Sequence, residues 1–409
     1  MIPKILLQKA EELEQKAAQV YPDLAPLAKQ CFLNTMETTV TQLEDGSYFV
    51  ITGDIPAMWL RDSAAQLKKL GDSCMVVTGK HSAKASGALD DLTEVLRREK
   101  ISCTVYDGIT ENPLLSSCEE AAALAAEKKA AFVVGIGGGS PLDAAKAIAA
   151  LAANPGLDRE GFFKKAWKNP PLPIVLIGTT SGTGSEVSPT SVLTVDGVKK
   201  SVSGPELYAS LAIANPAYTG TMSYNTTVST GLDAFCHAVE GYFSPACDDI
   251  TGYLAEKAMP MVYRGLKMMR PEMEMTPAFR EQMYYGSLWA GLVLNAHGTS
   301  FPHPYGYVLT ENHGIPHGKA CAVFLPALLL HCAQYAPEKM ERFLRVLDTD
   351  LPAVNQLLDS LSGVERISMT KEEIQSYRKR FTGLKHYANT PGAYSEEQGL
   401  RLFETLFLK

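Results

Sequence analysis

The sequence predicts an α/β nucleotide-binding domain, with a parallel, Rossmann-like sheet, followed by an all-α metal-binding domain. Three observations predict it. Between about residues 67 and 217, short apolar runs alternate with amphipathic stretches at the spacing of strand–helix units. Two of those runs end in glycine-rich loops. Beyond about residue 217 the strand signal fades, long helical faces take over, and histidines gather in one stretch. The chain divides accordingly into 1–66, 67–217 and 218–409.

The elements follow in order. Residues 4–20 have helical periodicity and good helix formers, and 24–38 read as a second helix. LEDGSYFV is a turn followed by a strand, and then comes a polar loop carrying Asp54, Trp59, Arg61 and Asp62. CMVVTG (74–79) reads as a buried parallel strand, 82–100 as one amphipathic helix, and SCTVYDGI (102–109) as a second strand. A helix over 116–129, the strand AAFVVGIG (130–137) and the strand PIVLIGTT (173–180) continue the pattern. SLAIANP (210–216) closes the sheet.

At 409 residues the chain is long enough for two or three cores. A net charge of -7 and a pI near 5.7 argue against nucleic acid or an anionic membrane as the main partner. No apolar run reaches membrane-spanning length. The N-terminal MIPKILLQKAEELEQKAAQV is too charged for a signal peptide. The eight cysteines are scattered and form no CxxC pair, as expected of reduced thiols in a cytoplasmic protein.

GIGGGSPLDAAKAIA (135–149) is a strand, three glycines and a helix. Gly137, Gly138 and Gly139 allow close backbone approach, Ser140 offers a hydroxyl and a helix cap, and the helix points its positive end at the same place. That is an anion site, most naturally for the pyrophosphate of a dinucleotide. TTSGTGSEVSPT (179–190) is a second such loop, and two at consecutive strand ends locate a shared crevice. At the first strand's end, Gly79 stands where NAD-selective sites place a carboxylate against the ribose 2′-hydroxyl. With nothing acidic there, NADP(H) is favoured over NAD(H).

Asp233 and His237 lie four apart in GLDAFCHAVEGY, on one face of a helix. FPHPYGYVLTENHGIPHGKA adds His303, His313 and His317, while His297 and His331 read as structural histidines. One carboxylate with imidazoles suits a divalent ion that keeps net positive charge, Fe²⁺ or Zn²⁺. Beside a nicotinamide, such an ion points to hydride exchange with an alcohol or aldehyde.

In order and spacing, GGGSPLDAAKAIA, TTSGTGSEVS, GLDAFCHAVEGY and GIPHG resemble the iron-containing alcohol dehydrogenase family, specifically its butanol-dehydrogenase-like branch, over about 67–409. The resemblance implies a dehydroquinate-synthase-like architecture. It implies Asp233, His237, His303 and His317 as metal ligands. Around the cofactor it implies Gly137 to Ser140, Asp143, Thr179, Thr180 and Lys200, and near the substrate His313 as a proton relay. It also implies a homodimer acting on small alcohols or aldehydes, with neither nucleic acid nor membrane as a partner.

Two features depart from that family. Tyr307 stands where many members carry a further histidine. The family's opening β-hairpin is missing, and FLNTMETTV with LEDGSYFVITGDIPAMWLRDSAAQ resembles instead the N-terminal part of the family 125 glycoside hydrolases, exo-α-mannosidases. About 66 residues cannot build that family's helical barrel or supply its pair of carboxylates. The chain therefore reads as a fusion. Three other readings stay open: an α-mannosidase fragment, a scaffold that binds nucleotide or metal without turnover, and a related fold such as glycerol dehydrogenase. A lost hairpin would bare a sheet edge. Residues 47–52, SYFVIT, are the segment able to cover it.

Overall fold

The computed structural model describes residues 11, 14–15, 48–50, 63–363 and 367–408. Of the expected helix over 4–20, residues 11, 14 and 15 are described and are helical. The helix over 24–38 and the loop with Asp54, Trp59, Arg61 and Asp62 lie outside the described residues.

Six parallel strands form the sheet: β1 (Tyr48–Val50), β2 (Ser73–Thr78), β3 (Ser102–Tyr106), β4 (Phe132–Gly137), β5 (Ile174–Gly178) and β8 (Leu211–Ile213). Their spatial order is β1-β8-β5-β4-β2-β3. The expected patch at the sheet edge is present: Tyr48, Phe49 and Val50 pair in parallel with Leu211, Ala212 and Ile213. β4 and β5 are buried throughout, which is why their sequences are unbroken apolar runs. Alternate residues feed two cores. Met75, Val77 and Leu176 pack on one face with Ala145 and Ile148, while Val76, Val134 and Ile177 pack on the other with Leu67 and Leu92.

The helices of this half are α1 (Ala64–Leu70), α2 (Ser82–Ala85), α3 (Ala88–Arg98), α4 (Leu115–Glu127), α5 (Gly139–Ala153) and α6 (Arg159–Phe163). The single helix expected over 82–100 is two, because Gly87 takes a φ of +82° and breaks the ladder. The second strand stops at Tyr106, short of residue 109. A hairpin absent from the sequence reading, β6 (Thr190–Val195) with β7 (Val198–Ser203), projects from the sheet. Its signal was the dipeptide Asp196-Gly197, whose φ values of +52° and +78° make the two-residue turn that hairpins favour.

The second half is helical, as expected. Helices α7 (Tyr224–Phe243), α8 (Asp249–Met268) and α9 (Pro277–His297) pack together, α10 (Pro302–His313) packs on α11 (His317–Ala322), and α11 packs on α7. Helices α12 (Leu325–Tyr335), α13 (Pro337–Leu347), α14 (Leu351–Ser362), α15 (Lys371–Ser376), α16 (Arg378–Phe381) and α17 (Glu396–Phe407) make up the rest of this half. Among the described residues no helix is long and apolar enough to cross a membrane.

Candidate active site

Helix α7 begins with Ser223 accepting from the Thr226 backbone N–H and runs almost wholly buried. Asp233 and His237 sit one turn apart on it. His303 lies in the first turn of α10 and His317 opens α11. The GIPHG segment has a local cause for each residue that matters. Gly314 ends α10 with a φ of +66°, and Pro316 caps α11. Gly318 lets α11 touch α7, since a Cβ there would stand 1.8 Å from the Ser229 carbonyl oxygen and 2.8 Å from Asp233 Cβ. That contact delivers His317 to Asp233.

The Nε2 atoms of His303, His237 and His317 lie 3.6, 3.7 and 3.7 Å from Asp233 Oδ1. A tetrahedral ion with bonds of about 2.0–2.2 Å holds its ligand atoms roughly 3.3–3.6 Å apart. Asp233 Oδ1 and His303 Nε2 are buried without a hydrogen-bond partner, so the cluster fits a divalent ion. Asp233, His237 and His303 are 5%, 6% and 4% exposed against 27% for His317, so the pocket opens on the His317 side. Burial lowers His237 to about 4 and keeps it neutral, as a ligand must be, and it pushes His317 down as well.

Glu240 supports this cluster; it stands within GLDAFCHAVEGY, three residues after His237, where the sequence reading gave it no role. Its Oε1 lies 2.6 Å from His303 Nδ1, and its Oε2 accepts from the Ser300 N–H at 2.8 Å. Burial opposes a charge on His303, but Glu240 and Asp233 on its two sides raise it to about 10. The Nδ1–H donates to Glu240 Oε1, which leaves Nε2 facing Asp233. A proton there occupies the place of a cation.

The glycine loops meet as expected, with a different division of labour. The N-cap of α5 is Gly138, with no side-chain cap, and Ser140 lies inside the first turn. The expectation that Ser140 caps the helix is therefore corrected: the first-turn N–H groups have no side-chain partner and face outward for an anion. Gly137 needs its φ of +152°. Gly138 and Gly139 are glycines because a Cβ would meet Thr180 Cγ2 at 3.0 Å and Thr183 Cγ2 at 2.8 Å. Thr179 Oγ1 and Ser181 Oγ are buried without partners, as donors awaiting a ligand are. Gly79 follows β2, and a Cβ there would stand 3.1 Å from the Ile109 carbonyl oxygen.

Asp143 is held by the protein itself: Ser185 Oγ donates to it at 2.6 Å, the Val192 N–H at 2.8 Å and Lys146 Nζ at 3.3 Å. Lys146, fully buried, also donates to Ser185 Oγ at 2.8 Å and the Thr190 carbonyl at 2.7 Å. This network, which the sequence reading passed over, ties α5 to the second loop and the hairpin. Lys200 lies exposed over the Phe163 ring, at 5.9 Å from its centroid. Its neighbour Lys199 takes the opposite face of β7, 5.2 Å from the Tyr307 centroid, and Tyr307 stacks on His317 at 5.2 Å. The alternation of a strand puts Lys199, not Lys200, on the metal side. His313 Nε2 lies 3.1 Å from Glu373 Oε1 of α15. His331 donates to or accepts from nothing catalytic; its Nε2 lies 2.7 Å from the Pro391 carbonyl, the structural place expected.

A parallel sheet with glycine loops at its strand ends, followed by a helical Asp/His cluster, is the arrangement of an enzyme that holds a nucleotide and a metal ion. The iron-containing alcohol dehydrogenase model matches residues 58–216, and the C-terminal model of that family matches 227–380. Long-chain-alcohol dehydrogenase 1 of Geobacillus thermodenitrificans is 33% identical over 307 residues, 74% of this chain and 77% of its own. The crystal structure of an iron-containing alcohol dehydrogenase from Thermotoga maritima superposes with a TM-score of 0.78 at 34% identity, covering 85% of this chain and 95% of that one. Sulfoacetaldehyde reductase from Bifidobacterium kashiwanohense, solved in complex with NAD⁺, gives 0.75 at 26% identity, with coverage of 86% and 94%. The chain belongs to the iron-containing alcohol dehydrogenase family. Residues 21–88 also match the metal-independent alpha-mannosidase model, family 125, in keeping with the foreign opening segment.

Proposed function

We propose that the chain transfers hydride reversibly between NAD(P) and a small primary alcohol or aldehyde, with Fe²⁺ or Zn²⁺ held by Asp233, His237, His303 and His317. The observation that carries this is the set of three imidazole nitrogens 3.6–3.7 Å from one partnerless carboxylate oxygen. When bound, the ion supplies a Lewis acid and the nicotinamide a hydride acceptor or donor. The protein holds them. Glu240 fixes the His303 ring, and the loops with Gly137 to Ser140, Thr179 and Thr180 hold the pyrophosphate. Asp143 acts through Ser185 and the hairpin. His313, paired with Glu373, relays a proton to solvent. Residues 67–217 and 218–409 form the two working domains of a homodimer. The absence of a carboxylate at Gly79 supports acceptance of NADP(H).

The test is to load the purified chain anaerobically with Fe²⁺ or Zn²⁺ and follow nicotinamide oxidation with butyraldehyde. His303→Ala is measured beside it, and NADPH beside NADH. Turnover lost in His303→Ala supports the reading. A folded, metal-loaded chain that turns over no aldehyde or alcohol sinks it.

A further inference from the structure

His303, Tyr307 and Glu311 follow one another at intervals of four along α10, so they share a face. His303 belongs to the Asp233 cluster. Tyr307 lies against His317, with the ring planes 18° apart. Glu311 reaches the other half of the molecule: its Oε1 accepts the backbone N–H of Lys199 at 3.1 Å. Lys199 stands in β7, and among the described residues no strand pairs with the outer edge of that hairpin. An N–H on that edge needs an acceptor from elsewhere. The Lys199 ammonium lies 5.2 Å from the Tyr307 ring centroid. One face of α10 therefore holds a single lysine at two points, its backbone by Glu311 and its cation by Tyr307. Glu311 is 10% exposed, and Arg380 of α16 pairs with its Oε2 at 2.6 Å. That pairing matches the carboxylate's charge and leaves Oε1 for the hairpin. The ring attracts the ammonium without cancelling its charge, so the cation stays available on the His317 side, where the pocket opens.

Resting on the cofactor reading above, we infer that Glu311 is a positioning residue for the nicotinamide cofactor: it fixes the hairpin so that the Lys199 cation meets a negative group of the dinucleotide. Glu311 itself touches no ligand. A free lysine side chain carries about 2 kcal/mol of rotamer entropy, and the two-point hold removes part of that cost before the cofactor arrives. The stripe on α10 thereby joins the cluster that holds the ion to the hairpin of the nucleotide half.

The experiment adds NADH or NADPH to the full metal-free chain and reads binding by nicotinamide fluorescence. Glu311→Ala should weaken binding about tenfold, the order of a lost hydrogen bond to a charged group. Glu311→Gln keeps an oxygen for the Lys199 N–H and should stay within about twofold of wild type. Lys199→Met should weaken binding at least as much as Glu311→Ala, and the double variant should lose nothing further, because both act through one cation. Wild-type affinity in Glu311→Ala or in Lys199→Met overturns the inference and leaves the cofactor reading standing. So do losses that multiply in the double variant, or a Glu311→Gln that fails as Glu311→Ala does. A folded wild type that binds neither nucleotide overturns both.

Discussion

At the scale of single residues, the cluster is governed by what its neighbours hold. Glu240 keeps the His303 ring turned so that Nε2 faces Asp233. Glu240→Gln should weaken metal binding about 10- to 100-fold while leaving the fold intact, measured by competition with a chelator. The same carboxylates raise His303 to about 10 against the pull of burial. An ion arriving at neutral pH therefore displaces a proton from Nε2. Metal affinity should rise with pH, about tenfold per unit, up to that value; a flat profile in calorimetry across a pH series would show that no proton is displaced. Lys146 is a different case, a fully buried cation with three acceptors. Lys146→Met should lower stability by about 3–5 kcal/mol, read from urea unfolding, because the Asp143 charge loses its buried partner.

At the scale of elements, glycines decide which segments touch. Gly318 sets α11 on α7, and Gly182 brings the second loop to the same helix, where a Cβ would meet Thr230 Cβ at 2.5 Å. Gly184 and Gly291 do this between that loop and α9: a Cβ at 291 would stand 2.8 Å from Gly184 Cα. Gly318→Ala should cost about 1–3 kcal/mol in overpacking and release the metal, since His317 moves with α11. Metal retained at one equivalent would show that α11 does not set the ligand. Much of this was legible in the sequence. GLDAFCHAVEGY, FPHPYGY and GIPHG announced the residues that the fold gathers, and the strand lengths came out within a few residues. Other parts were not. Glu240 and Lys146 act largely through residues 39 to 63 positions away, so no local pattern marks their contacts. The hairpin was legible in Asp196-Gly197 and simply passed over. Lys199 and Lys200 are adjacent, and only the face of β7 separates their roles.

At the scale of the molecule, the opening segment and the dehydrogenase are joined through the sheet. β1 covers the β8 edge, which would otherwise present unpaired backbone groups. Removing residues 1–62 should lower stability by roughly 2–4 kcal/mol through the lost ladder and favour association through the bared edge. Size-exclusion chromatography with thermal unfolding reads both, and an unchanged melting point in a monodisperse sample would show that β1 contributes nothing. The mannosidase-like match runs to residue 88, yet β2 within it pairs with β3 and β4 inside the dehydrogenase sheet. The likeness there is one of sequence, and the packing belongs to the dehydrogenase.

The sequence by itself determined the alternation of strands and helices, the glycine loops and the family they belong to, because each rests on short stretches of neighbouring residues. The tertiary structure alone decided that His237, His303 and His317 converge on Asp233, that Glu240 orients His303, that Asp143 is spent on Ser185 and Val192, and that Tyr48–Val50 closes the sheet. Those are contacts between elements. Their geometry depends on how helices and strands pack, and packing is set by the whole core at once.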